Sequence, residues 1–553
     1  MNSYKQLSFL FPFLKKSKGY LTIGIIGMIA SSLIIAPIPY LIGYTIDTIV
    51  LVDKSYTNLV KMIAALALIH IFRYVLTLVY QYYFTKLQQN VINEIRLSMI
   101  SNIIDAPLSF INKKEKGYIL GRIAESQQIG ALFSPTILSS LIGIFDLFFS
   151  LFMMITLNVK LTVIALIIIP IYFIISKKSS KKISESTRKV TEASAILNGD
   201  VYEMLNGLEH IKLLNGKDIQ IKKLSIKLKA MMKSVMKQNL NFIFFVQNII
   251  LTNEIATLLV LGFSGVLILN NEITIGIYTS FSIYISRILS VTQSIGSLEI
   301  TIKPICITIE RVKEFFNLEN ESSLNSEVLN ENIDCISFNN VSFKYNESSD
   351  FIINNFNDNL KVGDKVLIKG INGSGKTTLT KLITGLYMPT SGIVFANGKD
   401  YSKLNKKSIR DKIGIVSQDI FLFKGTILEN ILYGQTTKTK EDVINLISNL
   451  GLVDYIDRLC NGLDTNIIEN GSSVSGGQAQ MIAFLRAIIG DKDLIILDEA
   501  TSNLDIETRK HILKILEEKD LGKILIIISH QDEELNFVNK EINLVNNNKA
   551  IAN

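Results

Sequence analysis

The sequence predicts an α-helical membrane domain of six spans, followed by an α/β domain with a largely parallel sheet. Long apolar runs are concentrated in the N-terminal half of the chain. From residue 335 onward, short apolar runs alternate with helical stretches, the pattern of a sheet covered by helices on both faces. The chain is 48% hydrophobic and 19% charged, with a mean hydropathy of +0.32. These values exclude a disordered protein and favour a membrane protein.

The membrane domain is predicted from the apolar runs. The first extends from Gly19 to Ile46 without a charged residue, and a helix needs about 20 apolar residues to cross the hydrocarbon. Five further candidate spans are residues 62–85, 136–157, 161–176, 240–269 and 273–298. One run alone could be a buried helix of a soluble protein, but six in one half of a chain argue against that. The first run is too long for a signal-peptide core, so we expect it to be retained. We expect Pro37, Pro39 and Pro170 to kink their spans.

Basic residues give the expected orientation in the cell membrane. They precede the first span, separate the second from the third, and follow the fourth, as in Lys15, Lys114 and Lys177. The long polar connections, residues 86–135 and 177–239, carry apolar residues at helical spacing. We therefore predict that both connections extend the membrane helices into the cytoplasm, and that both termini are cytoplasmic.

The composition argues against several other classes of protein. The three cysteines, Cys306, Cys335 and Cys460, are too far apart in sequence for a disulfide framework or a four-ligand zinc site, and there are only four histidines. The net charge of +7 is best explained by lysines near anionic membrane lipid, so no nucleic-acid partner is expected.

A polar segment separates the two predicted domains. Residues 317–333 are rich in asparagine, glutamate and serine, which is typical of a linker. We place the transmembrane domain at residues 1–316, the linker at 317–334 and the α/β domain at 335–553.

A glycine-rich loop in the α/β domain predicts phosphate binding. Residues 370–377 read GINGSGKT and follow an apolar strand. Glycines let backbone N–H groups turn toward phosphate oxygens, and the helix that follows adds positive charge at its N-terminus. Lys376 would pair with the β- and γ-phosphates, and Thr377 would hold Mg²⁺. The residues expected at the nucleotide are Gly370, Asn372, Gly373, Ser374, Gly375, Lys376, Thr377 and Thr378. A purely structural glycine turn is the alternative, and the preceding strand disfavours it.

Two acidic residues end a later strand, LIILDE at residues 494–499. At the carboxyl edge of a parallel sheet, Asp498 would reach the Mg²⁺ and Glu499 would orient and deprotonate the attacking water. An acidic strand end is common by itself, but after a phosphate-binding loop it is the expected partner.

A short motif, Ser475-Gly476-Gly477-Gln478, precedes a predicted helix. Its serine can cap the helix, which is a purely structural role. Its N–H groups can also bind a phosphate. The tetrapeptide leaves both interpretations open.

Together these motifs resemble the nucleotide-binding domain of an ATP-binding cassette (ABC) transporter. The tetrapeptide is similar to the family's signature motif, with Val474 where leucine is usual. The resemblance implies further roles in binding ATP and Mg²⁺. Tyr345 would stack on adenine, Gln418 would contact the Mg²⁺, Asp505 would lie in the loop that crosses a dimer interface, and His530 would contact the γ-phosphate.

The N-terminal half resembles the exporters of this family. Residues 107–110, followed by Gly117 and Arg122, are similar to a first coupling helix, and residues 207–215 are similar to a second. Ala479 and Met481 depart from the family, which usually has basic residues there, but no catalytic position is substituted. The resemblance covers nearly the whole chain and implies a half-transporter.

In this family the phosphate-binding loop of one cassette meets the signature of another. A single chain carries one of each, so the resemblance implies a second copy as partner, or a related half-transporter. It also implies ATP-driven export of an amphipathic substrate such as a peptide, lipid or drug. Two alternatives stay open: a membrane-bound ATPase that serves as an immunity, sensor or channel-gating device without net transport, and an importer with the exporter fold. A soluble DNA-repair type ATPase is disfavoured by the six spans.

Four charged residues fall within predicted spans: Asp146, Glu254, Arg73 and Arg287. Charges in hydrocarbon are costly and usually face a cavity or one another. They are candidates for the substrate cavity, and structural ion pairs are an equally weighted alternative.

Overall fold

The computed structural model describes most of the chain in two compact units. The described residues are 3–112, 114, 116–321, 326–346, 350–453, 461–468, 474–500, 504–519, 521–529, 535–545 and 549–552. The first unit comprises Met1–Ser101 and Gly117–Asn317, and the second Asn102–Lys116 and Leu318–Asn553. Residues 102–116 belong to the second unit, although the sequence places them in the transmembrane domain. The domain limits drawn from the sequence remain a prediction.

The first unit is built from helices. Short 3₁₀ segments cover Ser3–Leu10 and Ser126–Phe133, and a π-helical segment covers Thr45–Asp53. The α-helices are α1 (Phe11–Lys16), α2 (Lys18–Ile35), α3 (Ile38–Tyr44), α4 (Tyr56–Ile104), α6 (Lys116–Glu125), α7 (Pro135–Leu157), α8 (Val159–Asn206), α9 (Leu208–Leu213), α10 (Lys217–Leu269) and α11 (Ile275–Lys313).

Four of the described helices, α4, α8, α10 and α11, are much longer than a bilayer is thick. The longest, α10, has 53 residues, which at 1.5 Å per residue is about 80 Å against about 30 Å of hydrocarbon. Continuous helix therefore runs from apolar into polar sequence, as predicted for residues 86–104 in α4 and 177–206 in α8.

Four stretches of the described residues are long and apolar enough to cross a membrane. They are Lys18–Asp53, Tyr56–Ile104, Gly117–Leu157 and Lys217–Leu269. The predicted fourth and sixth spans lie in α8 and α11, which do not meet the same criterion of length and apolarity over the described residues. The count of six spans therefore remains a prediction.

Proline has different effects in different helices. Ala36 and Pro37 interrupt the first apolar stretch and separate α2 from α3. Pro170 lies inside α8, whose helical assignment is continuous through it. The core of the unit lies where α8, α10 and α11 pack together, with fully buried Leu161, Ile249 and Phe281.

The second unit contains two main sheets. Its strands are β1 (Cys335–Phe343), β2 (Ile353–Lys361), β3 (Lys365–Gly370), β4 (Ser391–Ala396), β5 (Lys399–Asp400), β6 (Ile413–Val416), β7 (Gly425–Thr426), β8 (Asn466–Ile467), β9 (Leu494–Asp498), β10 (Ile524–Ile528), β11 (Lys540–Val545) and β12 (Lys549–Ala552). The six-stranded sheet has the order β12-β11-β3-β10-β9-β6, and an antiparallel sheet has the order β2-β1-β4-β5. The predicted α/β class is confirmed.

The register of the six-stranded sheet sets the position of the site. All pairs except β11 with β12 are parallel. Ile528 pairs with both Ile368 and Asp498. The carboxyl ends of β3, β9 and β10 therefore meet at one edge, as the fully buried, apolar runs of β9 and β10 lead one to expect.

Seven α-helices lie in the described residues of the second unit. They are α5 (Leu108–Asn112), α12 (Lys376–Ile383), α13 (Lys406–Arg410), α14 (Ile427–Ile431), α15 (Lys440–Asn449), α16 (Gly476–Ile488) and α17 (Ile506–Glu518). Helix α5 covers residues that the sequence resemblance assigns to a first coupling helix, and that role remains a prediction. Its Leu108 packs against the core beneath β1 and β3, and its Asn112 amide donates a hydrogen bond of 2.7 Å to the Tyr387 hydroxyl.

Candidate functional site

The phosphate-binding loop leaves the sheet at the end of β3 and leads into α12. Gly373 and Gly375 have φ of +82° and +100°, a left-handed conformation that side chains disfavour. A Cβ on Gly370 would lie 2.4 Å from the Ser374 hydroxyl oxygen and 2.6 Å from the Leu544 carbonyl oxygen. The glycines are therefore required by backbone conformation and by space, and the loop curls at the N-terminus of α12.

Lys376 lies at the centre of this loop. Its ammonium group donates hydrogen bonds to the carbonyl oxygens of Gly370, at 2.7 Å, and Ile371, at 3.2 Å. The side chain is buried, and burial lowers the pKa of the ammonium group from its usual value, while Glu499 and Asp498 favour the charged form. A cation is thus held where phosphate oxygens are expected.

One pocket brings together three sequence-predicted parts of the site. It has a volume of about 400 Å³, a size typical of ligand sites. Its lining consists of Ile352, Asn372, Gly373, Gly375, Lys376, Thr377, Thr378, Gln418 and Glu499. The loop, the predicted glutamine and the predicted catalytic carboxylate therefore share one pocket.

A buried hydroxyl in the loop fits a phosphate ligand. Ser374 is 7% exposed, and among the described residues its hydroxyl oxygen has no hydrogen-bond partner. Buried polar groups are normally hydrogen-bonded. The hydroxyl of Ser374 is therefore suited to form a hydrogen bond with a bound phosphate.

The acidic pair ends β9 at the same edge of the sheet. Asp498 is 3% exposed, and the Gln418 amide donates to a carboxylate oxygen of Glu499 at 3.2 Å. Among the described residues, no group of three or more His, Cys, Asp or Glu side chains could hold a metal. The donor set instead suits Mg²⁺, which is commonly bound through one or two carboxylates together with substrate phosphates. Thr377, Gln418 and Asp498 would supply the protein oxygens.

The backbone of Glu499 is strained. Its φ is +53°, which for a residue with a side chain costs on the order of 1–3 kcal/mol. Two hydrogen bonds hold it there: its N–H donates to the Ile528 carbonyl oxygen at 3.1 Å, and its own carbonyl oxygen accepts from the Gln480 amide at 3.0 Å. In this left-handed conformation Glu499 follows the buried strand β9 and lines the pocket.

Gln480 is a functional candidate that sequence reasoning missed. It lies in α16 and is 2% exposed. The only signal in the sequence is that this glutamine precedes a run of apolar residues, Met481, Ile482 and Ala483, which are buried in the structure. A polar side chain within such a run needs a buried partner, but the sequence does not show that the partner is the backbone of Glu499.

We expect Gln480→Leu to reduce ATP turnover roughly fivefold with little change in ATP affinity, because a buried carbonyl that loses its donor costs about 1–3 kcal/mol. The measurement is kcat and KM for ATP together with equilibrium nucleotide binding. Gln435→Leu, a half-buried glutamine elsewhere in the unit, is the control. Equal losses of affinity and turnover would contradict a role in placing Glu499.

Tyr345 lies beside α12, in an aromatic cluster. Its ring centroid is 5.0 Å from that of Phe343 and 5.3 Å from that of Tyr387. Its hydroxyl lies 3.2 Å from the Thr378 hydroxyl. Because Tyr387 also accepts from Asn112, a continuous series of contacts joins α5 to the loop helix. Stacking of Tyr345 on adenine remains a prediction.

The signature motif forms a helix cap. The Ser475 hydroxyl accepts from the Gln478 N–H at 3.2 Å, and the Gln478 side chain accepts from the Ser475 N–H at 2.8 Å. This capping box starts α16 and leaves Gly476 and Gly477 as its first residues. The capping interpretation is therefore confirmed, and phosphate binding by this motif remains a prediction.

The structure does not bring every predicted residue to the pocket. Within the part of the chain that is described, its lining includes neither residues 475–478 nor Asp505. Asp505 caps α17 by accepting from the Thr508 N–H and hydroxyl, at 2.9 and 2.7 Å, and these bonds lower the pKa of its carboxyl. His530 and residues 502–503 lie outside the described residues.

Three of the four charges within predicted spans interact. The Arg287 guanidinium lies close enough to Asp146 and Arg73 to interact electrostatically with both, and Ser32 donates a hydrogen bond to Asp146. Glu254 is exposed on α10. The attraction between Asp146 and Arg287 is compatible with the structural alternative, and both the ion pair and substrate contact remain predictions.

Comparison with known proteins agrees with this geometry. The family model of the ABC transporter transmembrane region matches residues 21–293, and a second family model, described as ABC transporter, matches residues 353–502. ComA of Streptococcus pneumoniae serotype 4, a transport/processing ATP-binding protein, is 28% identical over 95% of this chain and 73% of its own. YgaD of Bacillus subtilis, a putative multidrug export ATP-binding/permease protein, is 27% identical over 98% of this chain and 94% of its own.

A solved structure has the same fold. It is a bacterial Atm1-family ABC exporter with ATP bound, with a TM-score of 0.84 and 20% identity. The match covers 96% of this chain and 94% of the other.

Proposed function

Because the chain belongs to the ABC transporters, as a half-transporter that fuses the family's transmembrane region to its ATP-binding domain, we propose that it couples ATP hydrolysis to export of an amphipathic substrate. The observation that carries the proposal is the single pocket shared by the phosphate-binding loop, Gln418 and Glu499. The names of two relatives, one a transport/processing protein and one a putative multidrug exporter, support export and leave peptides, lipids and drugs as substrate classes.

The chemistry follows from the placement of the side chains. The loop N–H groups and Lys376 bind and neutralise the phosphates, and Thr377, Gln418 and Asp498 would hold Mg²⁺. When bound, Mg²⁺ would help to neutralise the charge of the phosphates. Glu499, positioned by its strained backbone, orients the attacking water and accepts its proton. His530 would steady the γ-phosphate.

The functional unit is proposed to be a dimer. The capped N-terminus of α16 has two glycines whose N–H groups can bind an anion, yet it does not line the pocket among the described residues of the same chain. A second copy, or a related half-transporter, would bring its own α16 to this pocket and close each ATP site across the interface. Asp505 would lie at that interface.

The proposal includes the orientation of the chain in the membrane and the motion of its coupling segments. The basic residues before and between the spans support a cytoplasmic position for both termini and the ATP-binding domain, and membrane lipid would surround the apolar helices. ATP-driven approach of two cassettes would move the coupling segments, residues 107–112 and 207–215, and switch the membrane helices between inward- and outward-open states.

The test is ATP-dependent uptake into inside-out vesicles that contain the protein. The probes are fluorescent peptides, a fluorescent phospholipid and the dye Hoechst 33342, and vesicles with the Glu499→Gln variant serve as the matched control. Accumulation of at least one probe that needs both ATP and Glu499 is expected. ATP hydrolysis without uptake of any probe would favour a gating, sensor or immunity ATPase, and uptake only into right-side-out vesicles would indicate an importer.

A further inference from the structure

One exposed face of α8 changes abruptly from apolar to basic. Its exposed residues Ile167, Ile171 and Ile174 are followed by the exposed Lys178 and Lys181. These five residues are four, three, four and three positions apart, a spacing that places them in one row along a helix. The change comes just after Ile174, where the predicted fourth span ends. The row is therefore apolar within the predicted span and basic immediately beyond it.

The basic end of this row forms a groove on the surface of the helix. The groove has a volume of about 540 Å³. Its lining consists of Ile174, Lys177, Lys178, Lys181, Lys182 and Glu185. All four lysines are exposed, so four positive charges face one negative charge around this volume. A ligand in the groove would meet several cations on one side and an isoleucine at the end that adjoins the predicted span.

The charge of the four lysines is not neutralised by the protein. Among the residues that the structure describes, none of their ammonium groups forms an ion pair. Lys177 with Lys181, and Lys178 with Lys182, are like-charged pairs four residues apart, an arrangement that destabilises a helix. A bound anion would relieve this repulsion. Several other lysines of the same unit do have acidic partners: Lys16 pairs with Glu94, Lys160 with Glu272, and Lys227 with Asp200.

We propose that this face of α8 binds an anionic phospholipid, with the acyl chains along the isoleucines and the headgroup phosphate in the groove between the lysines. Basic clusters next to a membrane span attract anionic lipid, and the exposed isoleucines give the same face an apolar part that a soluble anion would leave uncovered. From Ile167 to Lys181 the helix rises about 21 Å, which is close to one leaflet with its headgroups, roughly 20 Å. The proposal rests on the chain lying in a membrane, and it is independent of the direction of transport and of ATP hydrolysis.

The first test uses a tryptophan as a local reporter, because the chain contains none. Ile174→Trp places the reporter between the isoleucines and the lysines. The full chain is reconstituted in phosphatidylcholine vesicles, and lipid with brominated acyl chains, which quenches tryptophan fluorescence on contact, is added in increasing fractions. We expect brominated phosphatidylglycerol to quench about threefold more strongly than brominated phosphatidylcholine, and replacement of the four lysines with glutamine to remove most of this preference.

Two controls make this test specific to the groove. Leu261→Trp places the reporter at an exposed position of α10 with no charged residue within six positions, and the two brominated lipids should quench it equally. Replacing lysines on the polar part of α10 with glutamine removes the same charge elsewhere and should leave the preference at Ile174→Trp unchanged; the residues are Lys217, Lys222, Lys223 and Lys229.

Two results would overturn the proposal. One is equal quenching of Ile174→Trp by the two lipids, a comparison that needs no lysine substitution and therefore stands even where a lysine variant fails to fold. The other is the same loss of preference in both lysine variants, which would show that the protein responds only to its net charge.

The second test distinguishes a lipid headgroup from a soluble anion. The preference of Ile174→Trp for phosphatidylglycerol is measured in about 20 mM sodium phosphate and in sodium chloride of equal ionic strength, so that screening is the same in both. A headgroup held in place by its acyl chains should give the same preference in the two salts. A preference that is lost only in phosphate would show that the groove takes free phosphate, and would overturn the assignment to a lipid.

Discussion

Replacing Glu499 with glutamine is expected to reduce ATP turnover at least tenfold while ATP binding is retained. Glu499 lines the pocket beside Lys376 and receives a hydrogen bond from Gln418. The carboxamide keeps the size of the side chain but cannot accept the proton of the attacking water, and general-base catalysis typically contributes 10²–10⁴-fold. The measurement is phosphate release by the reconstituted protein, with nucleotide binding determined in parallel.

The control for this experiment is Glu507→Gln. Glu507 lies in the first turn of α17 and does not line the pocket. Its substitution should leave turnover within twofold of the unsubstituted protein. Unchanged turnover in Glu499→Gln, or a loss of nucleotide binding as large as the loss of turnover, would refute the catalytic role.

The second large effect is recovery of activity from two inactive variants. Lys376→Met removes the cation of the phosphate-binding loop, and Ser475→Arg places a bulky cation at the capped end of α16. Each variant alone should have less than about a twentieth of normal turnover, since Lys376→Met removes the cation expected to pair with the phosphates and Ser475→Arg would block the proposed approach of α16 to them. Co-reconstituted in equal amounts, they should recover about a quarter, because half of the dimers are mixed and each mixed dimer has one intact composite site.

A matched pair of variants makes this experiment specific. Lys376→Met mixed with Glu499→Gln should recover nothing, because both substitutions damage the loop side of a site, so both sites of a mixed dimer are inactive. No recovery in the first mixture would exclude a site shared between two copies. Equal recovery in both mixtures would show that activity arises from something other than composite sites.

The parts of the site that depend on residues close together in the sequence were predictable from the sequence. The loop at residues 370–377 needs only glycines that permit positive φ and a strand before it, and both are visible in the sequence. The placement of Asp498 and Glu499 at the same edge follows from a parallel sheet. The two interpretations of Ser475 could also be weighed locally, since a capping box involves residues three apart.

What the sequence did not show depends on contacts between distant segments. Gln480 holds the backbone of Glu499, and Tyr387 joins Asn112 to Tyr345. Neither partner can be read from composition or spacing. Arg287 is an instructive case. The sequence shows only a charge within a predicted span, and its hydrogen bond to the Ile35 carbonyl oxygen becomes apparent only when the broken helix is seen next to α11.

The length of α10 has a mechanical consequence. A rod of 53 residues is about 80 Å long, so a tilt of only 5° about one end displaces the other end by about 7 Å. A sub-ångström adjustment close to the pivot can thus become a movement wide enough to open or close a passage. A continuous helix transmits such a tilt along its whole length, whereas a coiled segment would not.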